Sequence, residues 1–230
     1  MKSPRRALSL RLAVVAAVTA LTMLAVAAPA SQAKVTKLKG STTVTPSAAV
    51  NAFLSAQGVS VAPTGTAKAE GSGFTFPIGA GVGNTKTFNG VLAHSGGLKF
   101  TKGGKSYVTR RFVAVHVRKQ AYVLAQVPGL KGGCAKARKA VRLVKRIARK
   151  HPRVARKLVR TLRRYCKGGR VILLGRLRNL KKDVSGKSAT LSADIRLSKE
   201  AARLINKTLG TNVPAGSLLG SAVSHVTAGS

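Results

Sequence analysis

The chain has 230 residues and carries 42 Lys and Arg against four Asp and Glu, a formal charge of +38 at neutral pH. Four scattered carboxylates give no evident pair for acid–base work, and His94, His116, His151 and His225 show no zinc or triad spacing, so the residues argue against an enzyme. A charge this large calls for counter-ions or an anionic partner, and the length suffices for one domain with a core of its own.

The N-terminus reads as an address. Lys2, Arg5 and Arg6 form a positive region, residues 12–28 an apolar run, and Ser31-Gln32-Ala33 a small-residue cleavage site, so residues 1–33 are expected to be a signal peptide. Ala28-Pro29-Ala30 offers an alternative cleavage point, and an uncleaved segment would act as a membrane anchor. Cleavage after Ala33 removes Lys2, Arg5, Arg6 and Arg11 and lowers the charge to about +34. The expected location is secreted or attached to the cell envelope.

Residues 34–127 pattern as short strands with Gly-rich turns. Residues 41–44 read as a strand, Thr45-Pro46 as the cap and first turn of a helix ending at Gly58, and residues 59–62 as a returning strand. Residues 64–73 look like a linker. Phe74-Thr75-Phe76-Pro77-Ile78 reads as a strand, followed by a turn at Gly79, Gly81 and Gly83. Further strands are expected at 87–93, 97–101, 106–109, 111–117 and 121–127, the last two joined by a turn at Arg118-Lys119-Gln120.

The sequence from Cys134 to Cys166 departs from this pattern, with fourteen Lys or Arg and no acid. Ala137, Ala140, Val141, Val144, Ile147 and Ala148 recur at helical spacing, and Val154, Ala155, Leu158, Val159, Leu162 and Tyr165 do so after the break at His151-Pro152. Arg138, Lys139, Arg142, Lys145, Arg146, Arg149, Arg153, Arg156, Arg160, Arg163 and Arg164 take the opposite faces. One continuous helix would hold the sulfurs roughly 45 Å apart, whereas a hairpin brings them to bonding distance. Outside the cytoplasm a Cys134–Cys166 disulfide is therefore expected, with residues 131–169 forming an inserted amphipathic helical hairpin between Gly-Gly pairs.

Beyond it, residues 170–180 and 188–197 read as strands, Ser198 caps a helix over 199–209 that stops at Gly210, and residues 219–227 form a last strand. Val44-Thr45-Pro46-Ser47-Ala48-Ala49 parallels Leu197-Ser198-Lys199-Glu200-Ala201-Ala202, a weak internal repeat. Ser185-Gly186-Lys187-Ser188 contains Gly-Lys-Ser but has Lys181 where a phosphate loop needs Gly.

The Phe74-Thr75-Phe76-Pro77 strand, the Phe88-Asn89-Gly90-Val91-Leu92-Ala93 strand and the His94-Ser95-Gly96-Gly97-Leu98 turn together resemble the HtaA-type domain of exported actinobacterial haem-uptake proteins. The resemblance covers roughly residues 48–127. It implies a β-sandwich with short helices that grips haem between a tyrosine on the N-terminal helix and a histidine. His94 matches the histidine; the helix offers Phe53 where the tyrosine would stand, and a phenyl ring cannot ligate iron.

The expected fold is therefore mainly β and sandwich-like, spanning residues 34–230 and interrupted by the hairpin. The first functional expectation is a non-enzymatic protein that attaches through the basic face to an anionic cell-wall polymer or lipid surface, with non-specific nucleic acid as a further polyanion. The alternative is haem binding through His94. The sequence identifies no metal site and no protein partner.

Overall fold

Two long strands in the middle of the chain decide the architecture, because one of them pairs on both of its edges. A computed structural model describes residues 35–84, 89–117, 120–130, 134–147 and 152–229. The expected signal peptide, Lys131-Gly132-Gly133, His151 and the turn residues Arg118 and Lys119 lie outside the described residues. In chain order the elements are β1 (Val35–Pro46), α1 (Ala48–Ala56), β2 (Ser60–Thr64), β3 (Lys68–Glu70), β4 (Gly73–Asn84), β5 (Gly90–His94), β6 (Gly97–Lys102), β7 (Lys105–Val117), β8 (Gln120–Val127), α2 (Ala135–Ile147), α3 (Pro152–Lys167), β9 (Arg170–Ser185), β10 (Ser188–Leu197), α4 (Lys199–Leu209) and β11 (Leu218–Gly229).

The strands are joined antiparallel in the order β2-β6-β7-β5-β4-β1-β11-β10-β9-β8, and β8 pairs back onto β7. Eight of them thus close a ring. This corrects the sandwich-like expectation: the fold is a closed barrel with β6 and β2 extending beyond it and β3 paired to β4. Closure removes the free edges that a sandwich leaves. It depends on β7, which carries β6 and β5 end to end along one edge and β8 along the other.

β7 manages this by bending. Its pairing to β8 shifts register between Arg110 and Val113, and Arg111 takes a left-handed φ of 53°, uncommon for a residue with a side chain. Opposite the bend, Gly96 has a φ of 82° and its carbonyl accepts a hydrogen bond from Arg111 N at 2.8 Å. A Cβ on Gly96 would collide with the backbone of Ala67, so only glycine fits there. The sequence suggested two strands over 106–109 and 111–117 because of this interruption. They are one bulged strand.

Three other local readings change. Gly79, Gly81 and Gly83 are inside β4 rather than a turn, and a Cβ at Gly81 would come within 2.9 Å of Leu38 O and of a Leu92 methyl, so the glycines let strands approach closely. β1 runs through Pro46, and the cap of α1 is Ser47, whose hydroxyl accepts from Val50 N at 3.2 Å. The expected linker over 64–73 contains β3. By contrast β10 and α4 fall as expected, with the Ser198 hydroxyl accepting from Ala201 N and Gly210 in left-handed conformation at the helix end. The repeat pairs Ser47 with Ser198 as caps, two residues out of step with the sequence alignment.

The barrel wall is buried on both faces near the helix pair α2 and α3. Val113, Val115 and Leu124 join Val82, Val91 and Ala93 beneath Ala140, Val144, Val159 and Leu162, while Phe112, Val123, Ala125 and Val127 face the other way, into the core shared with α4. So the apolar helix faces do not merely meet each other, as an independent cassette would require. They cover the barrel. Cys134 and Cys166 form the expected disulfide, with Cα atoms 5.6 Å apart.

A Cys134→Ser/Cys166→Ser variant is expected to lose about 3 to 4 kcal/mol in urea unfolding, the chain-entropy value for a loop of this length. Its far-UV circular dichroism should keep the helical signal, because Ala140, Val144, Val159 and Leu162 remain packed on the barrel.

Candidate functional site

The barrel has an open apolar cavity at the side where α1 and α4 lie. Its volume is about 760 Å³, within the range usual for small-molecule sites. The walls come from Val50, Phe53 and Leu54 of α1, Ile205 and Leu209 of α4, Phe74 and Phe76 of β4, Phe100 of β6, and Tyr107 and Phe112 of β7. α1 is unusual in that none of its residues is buried, although Val50, Phe53 and Leu54 form an apolar side turned to this space. A helix held against a sheet normally buries such a side.

Two buried titratable groups interrupt the apolar wall. His94, the last residue of β5, is 4% exposed. Its Nδ1 lies 3.3 Å from Phe112 O and its Nε2 lies 2.7 Å from Thr42 Oγ1. A carbonyl only accepts, so Nδ1 carries the proton, and Nε2 accepts from the Thr42 hydroxyl. The Thr42 oxygen is in turn 2.8 Å from Ser224 Oγ, across the β1–β11 pairing. Burial lowers the His94 pKa to about 4, against a smaller raising effect of the Phe112 carbonyl, so the ring is neutral at pH 7. The ring thus bonds across the barrel, not to the backbone of its own turn.

Tyr107 is the second of these groups. It is 3% exposed, its ring packs 6.1 Å from that of Phe100, and its hydroxyl is buried without a hydrogen-bond partner. Burial, and then the negative charge of Glu200, push its pKa up, so the group is a phenol and a hydrogen-bond donor. Glu200 itself is held by Arg170 at 3.0 Å and by Leu173 N at 3.0 Å. A buried donor without an acceptor on the rim of an apolar cavity marks where a ligand atom is wanted.

The expected polyanion-binding residues lie elsewhere. Arg138, Lys139, Arg142, Lys145, Arg156, Arg160, Arg163 and Arg164 are exposed on α2 and α3. Arg149 and the side chains of Arg146 and Arg153 lie outside the described residues. The structure brings His94 and Phe53 to one cavity. Sequence reading did not place Tyr107 in that cavity, and it missed Thr42 and Ser224 altogether. Thr42 and Ser224 meet only through the pairing of the first and last strands, and no local motif marks that.

No protein-family model matches the chain, and no curated protein matches it significantly. Among solved structures, the C-terminal domain of HtaA from Corynebacterium glutamicum is similar over 84% of this chain and 99% of its own, at 14% identity and a TM-score of 0.54. The N-terminal domain of the same protein is similar over 83% of this chain and 98% of its own, at 14% identity and a TM-score of 0.50.

Protonating His94 opposes folding. Its folded-state pKa of about 4 lies below the unfolded value of 6.5, so the unfolded chain binds the proton first, and stability present above pH 6.5 is lost as the pH falls toward 4. Urea unfolding is expected to give roughly 3 kcal/mol less stability at pH 4 than at pH 7 from this group, and His94→Gln should flatten that dependence. Tyr107→Phe, which removes an unpartnered hydroxyl, should leave the ligand-free protein as stable or up to about 1 kcal/mol more so. With the barrel, its helices and its cavity described, the fold of this chain is that of an HtaA-type domain.

Proposed function

We propose that this chain is an exported, non-enzymatic protein that binds haem or a similarly flat, largely apolar ligand in the cavity between α1, α4 and the barrel. The observation that carries the reading is the cavity itself, about 760 Å³, apolar, bordered by a helix with no buried residue, and holding the uncommitted Tyr107 hydroxyl. The HtaA resemblance of the Phe74-Thr75-Phe76-Pro77 strand and the His94 turn supports the same ligand class. No helix among the described residues is long and apolar enough to cross a membrane.

The residues present fit the body of a haem better than they fit the ligation pattern the family implies. Phe53 offers no donor atom to iron, and the Nε2 lone pair of His94 is already engaged by Thr42. The buried Tyr107 hydroxyl has no hydrogen-bond partner, so we assign it the polar contact and His94 a positioning part through Thr42 and Phe112. When bound, haem would supply the iron that reports the contact spectroscopically.

A second reading is favoured by the exposed basic residues of α2 and α3, which carry charge on the side away from the barrel. They suit attachment to an anionic cell-wall polymer or lipid surface, and this is compatible with ligand binding in the cavity.

Titration with haemin is expected to give a saturable Soret change at one equivalent per chain. Tyr107→Phe should weaken it roughly tenfold, the loss of one buried polar contact, and His94→Ala should alter the spectrum of the bound form. An absent or non-saturating change would overturn the reading.

A further inference from the structure

A second cleft lies on the other side of His94. It measures about 500 Å³, and its rim is formed by Arg110 and Arg111 of β7, Arg164 of α3, Thr161 one turn earlier, and Ser95 and Gly96 of the β5–β6 connection. None of its lining residues is an Asp or Glu. The described acids nearest in role are committed elsewhere: Glu70 accepts from Thr75, Asp194 from Asn179, and Glu200 from Arg170.

The convergence of these arginines is made by the bulge. In a regular strand two consecutive side chains point to opposite faces. The left-handed Arg111 breaks that alternation, so Arg110 and Arg111 both border one cleft. Arg111 Nη1 also donates to Arg164 O at 3.4 Å, tying α3 to the barrel where Arg164 lines the same cleft. The floor adds an independent sign: the Thr64 hydroxyl oxygen is buried there without a hydrogen-bond partner. Three arginines lining one cleft that no Asp or Glu lines, beside an unsatisfied hydroxyl, suit an anion. Guanidinium forks match the paired oxygens of carboxylates and phosphates.

We infer that the cleft bounded by Arg110, Arg111 and Arg164 is an oxyanion-binding site, taking a phosphate or carboxylate group. The group is either a free anion or a carboxylate carried by a ligand whose apolar body lies in the cavity beyond His94, whose ring lines both spaces. The free-anion arm is independent of the haem reading; the carboxylate arm rests on it.

The test uses the full mature chain in 150 mM salt, with calorimetry in inorganic phosphate and, separately, haemin and haemin dimethyl ester titrated optically. In the first arm, saturable binding near one phosphate per chain is expected, weakened roughly tenfold in Arg110→Gln/Arg164→Gln and unchanged in Arg176→Gln/Arg178→Gln, a pair of exposed β9 arginines outside the cleft. In the second, the same Arg110→Gln/Arg164→Gln change should weaken haemin and leave the ester unaffected. Arg111 is kept because it also holds α3, and Arg110→Lys, which retains the charge and loses the fork, serves if the double variant melts early. Either arm behaving as described supports the site and names its source. Phosphate binding that is unsaturable or equally reduced in the β9 control, together with haemin binding indifferent to Arg110 and Arg164, would overturn it, whether or not haemin binds in the cavity.

Discussion

The bend in β7 is the constraint on which the rest of this structure depends. A strand that pairs β5 and β6 on one edge and β8 on the other must change direction where β6 leaves the barrel wall, and the change is taken up by Arg111 and Gly96, joined by one backbone hydrogen bond. A left-handed non-glycine residue costs of order 1 kcal/mol or more and persists only where its surroundings over-determine it. Here they do. The next residue, Phe112, turns its ring against Phe76, with centroids 5.0 Å apart, and its carbonyl to His94. The same bend therefore closes the barrel, fixes the tautomer of the buried histidine and gathers two arginines on one rim.

Around that bend the molecule separates apolar from cationic surface. The cavity between α1, α4 and the barrel is lined by aromatic and aliphatic side chains and interrupted by a neutral imidazole and a neutral phenol. The cations are kept outside, on the cleft rim and on the exposed faces of α2 and α3. Desolvation explains the division: a guanidinium taken into an apolar cavity without a partner would be far too costly, whereas its alkyl stem can lie along the wall with the head in water. His94 sits at the boundary, and its burial keeps it uncharged there.

The helix pair shows how the same physics was partly readable beforehand. Spacing of Ala140, Val144, Val159 and Leu162 against their arginine neighbours marked both amphipathic helices, and the cysteines required their outer ends to meet. What the apolar faces would cover was not readable, because amphipathicity states that a face is buried and not against what. The alternation of Val113, Val115 and Val117 marks one buried face, the one α2 and α3 cover; Phe112 on the opposite face is buried as well, in the core shared with α4. The glycines of β4 misled for a related reason. Locally, Gly79, Gly81 and Gly83 look like a turn, and only the approach of Leu38 and Leu92 explains them as strand residues.

By itself the sequence determined the elements whose cause is local: the Ser198-capped α4 and its Gly210 stop, the alternating β10, the basic helices, the disulfide they demand, and the Phe74-Thr75-Phe76-Pro77 and His94 motifs that resemble the HtaA type. Only the tertiary structure decided the closed barrel, since closure is a pairing between β7 and β8 that depends on where β5 and β6 end. It alone placed Tyr107 in the cavity with no partner, linked Thr42 to Ser224 across 182 positions, and set Arg164 beside Arg110 and Arg111. Each of these is a contact between residues distant in the chain, and local periodicity carries no information about which distant strand or helix will supply the other half.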